Sequence, residues 1–242
     1  MMHKTKWLFL IIATILFSYF YIPKSLFWDP INYYGFKGLN SLLGLGKLFQ
    51  FLFACLNHKY NDWVVDAVFL AFFISYVKQK NAKPALLKII ESLLIISVML
   101  FVIFVINKQL FRYVIQIESI SPSLKYSPYF NLDELFKVFS TKIYSTDSYP
   151  GDHATTAIIF YLLLAPLLKK PQTWYLASYC FLIILPRLVL GAHNISDIVA
   201  GSLPIALSIA SALYYRGFLE KTALFVYSRV FIEKKARNLM MR

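Results

Sequence analysis

The chain has 242 residues, of which 59% are hydrophobic, against roughly 45–50% expected of a soluble domain. Its mean hydropathy of +0.59 points to a membrane protein. The 25 Lys and Arg outnumber the 12 Asp and Glu, for a net charge of +13, but the bases sit between apolar runs and form no stripe interleaved with aromatics. That placement argues against nucleic acid and for contact with a membrane boundary and its anionic lipid.

In chain order, the first apolar run, 7–22, follows Lys4 and Lys6. No Ala-x-Ala cleavage site follows it, only Pro23 and Lys24, so it reads as an uncleaved span and not as a signal peptide. The stretch 42–56 is apolar but broken by Gly44, Gly46, Lys47 and Gln50, and reads as an interfacial helix. Gly44-Leu45-Gly46 lacks the spacing and the preceding strand of a phosphate-binding loop, and reads as close packing. His58, Lys59 and Asp62 then mark the outer end of the next span, as a solvated boundary near a substrate entrance. Further apolar runs follow at 63–77, 86–106, 154–168, 174–190 and 198–215. With roughly 20 residues needed per span, the chain reads as all-α: an integral membrane bundle of about six transmembrane helices plus the interfacial helix. One domain, 1–242, accounts for it, with a core at 62–216 and a basic cytoplasmic tail at 217–242. The tail mixes Phe218, Leu219, Phe225, Val226 and Phe231 with bases, and fits either a helix along the inner leaflet or a soluble basic segment.

The loops set the orientation. Lys4 and Lys6, the loop with Lys78, Lys80 and Lys83, the turn Lys169-Lys170, and the tail bases Lys234, Lys235, Arg237 and Arg242 all fall on one side. By the positive-inside rule that side is cytoplasmic, with both termini inside a bacterial inner membrane. Segments 107–152 and 191–196 then face outward, and they hold almost every residue able to do chemistry. Cys55 and Cys180 lie far apart, make no metal-ligand spacing, and read as small core residues.

Two polar knots break the apolar background. The first is Tyr149-Pro150-Gly151-Asp152-His153; the second runs from Pro186-Arg187 to His193 and Asp197. Ionisable residues at a membrane boundary are costly unless paired or wet, so their gathering at one face calls for a function. Arg187 ends the fifth run, and His193 and Asp197 open the sixth at the same depth. Asp197, four residues after His193, can fix the tautomer of its imidazole and leave the other nitrogen free to attack. Arg187 offers planar donors to phosphate oxygens, and His153 can protonate a leaving oxygen.

The pattern Arg187-x5-His193-x3-Asp197 resembles the third signature of the type 2 phosphatidic acid phosphatase and vanadium haloperoxidase superfamily, and Pro150-Gly-Asp-His153 resembles its second, Pro-Ser-Gly-His. The resemblance implies a phosphohistidine at His193, orientation by Asp197, leaving-group protonation by His153, phosphate binding by Arg187, and no metal or other cofactor. It also implies an outward-facing site on a membrane bundle. Where the second signature has Ser-Gly this chain has Gly151-Asp152, and Pro186 replaces the serine before the arginine. The missing hydroxyl leaves the Gly151 amide as its substitute. The first signature, Lys-x6-Arg-Pro, is absent as written: Lys108 stands where its lysine is expected, Ser121-Pro122-Ser123 resembles the region after its arginine, and Arg112 is the available replacement for that arginine.

Each of these residues also has a plainer reading. His153 can be an interfacial histidine, Asp152 an N-cap, Asp197 a carboxylate at a helix N-terminus, and Lys108 a lysine snorkelling from a span end. The co-occurrence of both motifs favours catalysis for the histidines and Asp197, while Asp152 stays outside the catalytic set. The expected site is thus His193, His153 and Asp197, with Arg187, Lys108, Gly151 and Arg112 around the phosphate. It lies under a lid at 107–149, with Tyr113, Tyr126, Tyr129, Phe130 and Tyr149 at headgroup depth.

The expected activity is removal of phosphate from a lipid-linked phosphate or diphosphate such as undecaprenyl diphosphate, phosphatidylglycerol phosphate or the lipid A headgroup. The runner-up is transfer of phosphate from a polyprenyl diphosphate to lipid A. A membrane transporter or structural protein is the alternative class, disfavoured because the ionisable residues gather at one face. A soluble haloperoxidase is excluded by the apolar spans. Nothing in the sequence sets an oligomeric state.

Overall fold

The computed structural model describes residues 2–135, 141, 143–214 and 217–240, with side chains described from 10 to 230. Arg242 and the side chains of Lys4, Lys6, Phe231, Lys234, Lys235 and Arg237 lie outside the described residues, as do 136–140 and 142 of the expected lid.

The described chain is helical, with α1 (Met2–Phe20), α2 (Trp28–Asn40), a 3-10 turn (Ser41–Leu45), α3 (Lys47–Leu56), α4 (Asn61–Lys78) and α5 (Ala85–Phe101). Helix α5 runs without a break into a π-helical stretch (Val102–Ile115). Two short helices, α6 (Pro122–Lys125) and α7 (Leu132–Leu135), lead to α8 (Asp152–Leu164) and α9 (Lys170–Val189). A second π-helical stretch (Asp197–Ser202) opens α10 (Leu203–Tyr214), and α11 (Phe218–Met240) follows. Within the described residues, each apolar run of the sequence is mostly helical, with 21–22 of the first run in a turn after α1 and residue 215 of the last outside the described residues. Among the described residues, two helices are long and apolar enough to cross a membrane: Ala85–Ile115 and Asp197–Tyr214. Leu10–Phe20, Lys47–Leu56 and Asp152–Leu167 are shorter apolar helices. In α4, 18 residues long, Asp62, Asp66 and Lys78 interrupt the apolar character.

Helix α8 sits at the centre, packed against α5, α9 and α10. It can approach its neighbours closely because Ala154 and Ala157 are small and buried, as are Ala206 and Ala210 of α10. In an apolar surround such small-residue contacts gain dispersion energy that transfer from lipid cannot supply. Phe69 of α4 stacks on Phe160 of α8 at 3.9 Å, and Phe73 meets the same ring edge-on at 5.2 Å. Helix α11 covers α5 through Leu87, Ile90 and Ala223. Cys180 is buried and Cys55 half-buried, both as free thiols.

Tyr149, one of the five aromatics expected at headgroup depth, is buried within the protein. It is 1% exposed, stacks on Tyr19 at 4.9 Å and donates its hydroxyl to the Ala200 carbonyl at 3.0 Å. The ring fills the joint between α1 and the second π-helical stretch, and so fixes where α8 starts.

Candidate active site

The two motifs meet at the start of α8. Helix α9 ends at Val189 and the chain reverses through Gly191, whose φ of +76° suits glycine. A side chain there would also meet the ring of Phe36 and the backbone of Ser123. The tight turn returns the Ala192 and His193 amides to the Arg187 carbonyl, at 2.8 and 3.3 Å. His193 packs against Gly151: a Cβ on that glycine would lie 3.5 Å from His193 Nδ1.

His193 Nδ1 lies 2.9 Å from the Ser148 carbonyl oxygen. A carbonyl only accepts, so Nδ1 carries the proton and Nε2 keeps its lone pair. Asp197 had been expected as the direct partner of that nitrogen, yet it stands 3.8 Å from Nδ1, beyond hydrogen-bond length. Its carboxylate, 0% exposed, instead accepts from the Asn194 amide at 2.8 Å, the Asn194 side chain at 3.3 Å and the Ser119 hydroxyl at 2.7 Å. Asn194 precedes the helix that begins at 195, and the Asp197 carboxylate reaches back to accept from its amide, which is one half of a capping box. The helix start therefore claims the carboxylate, which stays 3.8 Å from the imidazole without bonding to it. Ser148 and Ser119 are themselves joined, amide to carbonyl, at 2.8 Å, so the groups that hold the histidine and the aspartate form one frame.

His153 and Arg187 come together as expected, with Arg187 Nη2 3.0 Å from His153 Nε2. A third residue joins them that the sequence reading had left at a solvated boundary. Asp62 Oδ1, in the first turn of α4, is 3.1 Å from His153 Nε2 and 3.4 Å from Arg187 Nη2. One proton chooses between these contacts: a protonated Nε2 donates to Asp62, and an unprotonated one accepts from Arg187.

A cavity of about 270 Å³ opens beside this cluster, lined on its polar side by Asp62, Asp66, Lys108, Asp152, His153 and Thr156. Lys108 lines this cavity, with its ammonium 4.7 Å from the Phe104 ring centre. Arg112 is turned elsewhere. It donates to Asp152 Oδ2 at 2.9 Å and to the Pro150 carbonyl at 2.8 Å, and lies 3.6 Å from Asp147. Asn107 holds the other Asp152 oxygen at 3.0 Å and Thr155 at 3.1 Å. Asn107 and Arg112 are five residues apart, and i→i+5 pairing in the π-helical stretch brings such positions toward one face.

Asp152 is consequently not the N-cap that its position suggested. It is the first residue of α8, Gly151 is the cap and makes no side-chain cap bond, and the Asp152 carboxylate is drawn sideways by Asn107 and Arg112. Gly151 itself anchors the joint through its carbonyl, which accepts from the Thr155 and Ser202 hydroxyls at 2.9 Å each. Burial raises the Asp147 carboxyl above the usual carboxylate range; Arg112 opposes this, and the nearby Asp152 and Asp197 charges add to it. Among the described residues, no group of three or more His, Cys, Asp and Glu side chains is arranged to hold a metal ion.

The family model of the PAP2 superfamily matches residues 94–221, a span that contains His153, Arg187, His193 and Asp197 but not Asp62. The chain is 29% identical over 198 residues, 81% of each chain, to lipid A 1-diphosphate synthase of Escherichia coli (strain K12). No solved structure matches the chain significantly. The chain belongs to the PAP2 superfamily, that of the type 2 phosphatidic acid phosphatases, and so to a family of lipid phosphatases and phosphotransferases.

Proposed function

We propose that this chain is a metal-independent lipid phosphatase of a bacterial inner membrane. It crosses the membrane about six times, keeps both termini inside, and acts on a lipid-linked phosphate or diphosphate at its outer face. The observation that carries the chemistry is the fixed tautomer of His193: Nδ1 is tied to the Ser148 carbonyl at 2.9 Å, which leaves Nε2 as the nucleophile. In the first step the Nε2 lone pair attacks phosphorus, the bond from phosphorus to the leaving oxygen breaks, and His153 gives that oxygen its proton. Arg187 and Lys108 neutralise the phosphoryl oxygens, with the Gly151 amide beside them, and the buried Asp197 charge stabilises the cationic phosphohistidine. In the second step water attacks phosphorus and returns a proton to His153, the phosphate departs, and His193 is regenerated.

A second reading changes only the acceptor. Similarity to lipid A 1-diphosphate synthase favours transfer of the phosphoryl group to a lipid A-type headgroup from a donor such as a polyprenyl diphosphate. Both readings share the phosphohistidine. The test is purified protein in detergent offered phosphatidate, phosphatidylglycerol phosphate, undecaprenyl diphosphate and lipid A, with and without an acceptor lipid. Free phosphate without an acceptor supports the phosphatase, and phosphorylated acceptor supports the transferase. An acid-labile phosphoenzyme should form in both cases and vanish in His193→Ala; its persistence there would remove His193 as the nucleophile.

A further inference from the structure

Asp62 belongs to neither signature motif and lies before the family-matched segment, yet it contacts two of the residues proposed to handle phosphate. Its Oδ1 stands 3.1 Å from His153 Nε2 and 3.4 Å from Arg187 Nη2, and those two nitrogens are 3.0 Å apart. A single carboxylate oxygen is thereby set against the two side chains that a phosphoryl oxygen would use.

The exposures of the pair are unequal. The Arg187 side chain is 6% exposed and that of Asp62 is 37% exposed on the cavity wall. A buried guanidinium needs a counter-charge, and carboxylate and phosphate both offer it the same planar pair of acceptors. The arginine is fixed in its socket, whereas the carboxylate has open space beside it.

We infer that Asp62 is an internal competitor for the phosphate position, occupying the Arg187 and His153 donors by turns with the substrate's phosphoryl group. It holds both side chains in place between turnovers and displaces the released phosphate by taking back its donors. Asp62 is thus a positioning residue that sets a weak affinity for the product. The inference rests on the phosphate-binding role proposed for Arg187.

The test is binding of inorganic phosphate to the full chain in detergent, by titration calorimetry, with thermal melts to confirm folding. Removing a negative charge that repels phosphate and contends for its donors should tighten binding by roughly tenfold or more in both Asp62→Asn and Asp62→Ser. Asp62→Glu, which keeps the charge, should bind as weakly as the unaltered protein. A merely structural Asp62 would give no gain in either neutral variant. The inference is overturned if Asn and Ser bind phosphate no better than the unaltered protein, or if Glu binds as tightly as Asn. Arg187→Gln separates the two levels. Phosphate binding that survives it removes the proposed role of Arg187, whereas binding lost there but unchanged in Asp62→Asn removes only the competitor.

Discussion

Replacing Arg112 with alanine should cost stability and leave substrate affinity nearly intact. Arg112 donates to Asp152 at 2.9 Å and to the Pro150 carbonyl at 2.8 Å, with the two charged side chains 21% and 25% exposed. Exposed ion pairs contribute about 0.2–1 kcal/mol, and hydrogen bonds to charged groups about 1.5–3 kcal/mol. A pair a quarter exposed lies between these limits, so we expect a loss of about 2 kcal/mol. For a chain of this size that lowers the melting temperature by roughly 4–8 °C. The loss should be shared with its partner: once Arg112→Ala is made, adding Asp152→Asn should cost little more, because the ion pair is already gone and the asparagine oxygen can still accept from Asn107. The assay combines melting in detergent for the two single variants and the double variant with KM for a lipid phosphate. A KM raised tenfold or more with an unchanged melting temperature, and additive single effects, would refute the anchor and make Arg112 a phosphate ligand.

Four further outcomes follow from the same geometry. His153→Ala should slow a lipid monophosphate by about 10²- to 10⁴-fold, a diphosphate less, and an activated aryl phosphate least, because only a poor leaving group needs the proton; equal losses on all three would remove His153 as the acid. Activity should persist in EDTA and be blocked by orthovanadate, whereas loss in EDTA with recovery on adding magnesium would make the carboxylates around the cavity metal ligands. In intact cells and a Cys55→Ser background, a cysteine at the exposed Ser127 should react with an impermeant thiol reagent while one at the exposed Lys170 should not, and reversed labelling would invert the topology. Asp147 has a carboxyl raised by burial, so its ionisation begins to oppose folding as the pH rises past the ordinary carboxylate range, does so in full above the raised folded value, and has no effect where both states are protonated. With its side chain 46% exposed the effect is small: Asp147→Asn should raise the melting temperature slightly at pH 7 and not near pH 3, and an equal gain at both would count against it.

The sequence was most legible where periodicity or a motif repeats a local rule. Apolar runs gave the helices because each is a continuous local signal, and the two knots located His153 and Arg187, which meet at 3.0 Å from positions 34 residues apart. Asp62 was not legible. A carboxylate in the first turn of an apolar helix reads as a helix-dipole or boundary residue, and nothing local marks a partner 125 residues away. The spacing of His193 and Asp197 suggested a direct bond. A competing local signal, Asn194-x-x-Asp197 at a helix start, was present and explains why the carboxylate turns to the backbone instead. Asn107 and Arg112 could not be paired on paper because the α-helical period places residues five apart on different faces, and only the wider π turn aligns them.

Helix α2 reaches the loop that carries His193 from outside the family-matched segment. Asn32 exchanges two hydrogen bonds with Ser196, at 2.9 and 3.0 Å, and Asn40 donates to the Val189 carbonyl at 3.0 Å. Phe36 lies beneath Gly191 where the chain turns. The loop is therefore clamped between a helix that bears none of the family signatures and one that bears them. A substitution in α2 can tilt the loop of His193, the proposed nucleophile, while every side chain of the two motifs stays the same. The position of the proposed nucleophile therefore depends in part on α2, a helix separate from the two motifs that carry the proposed reaction.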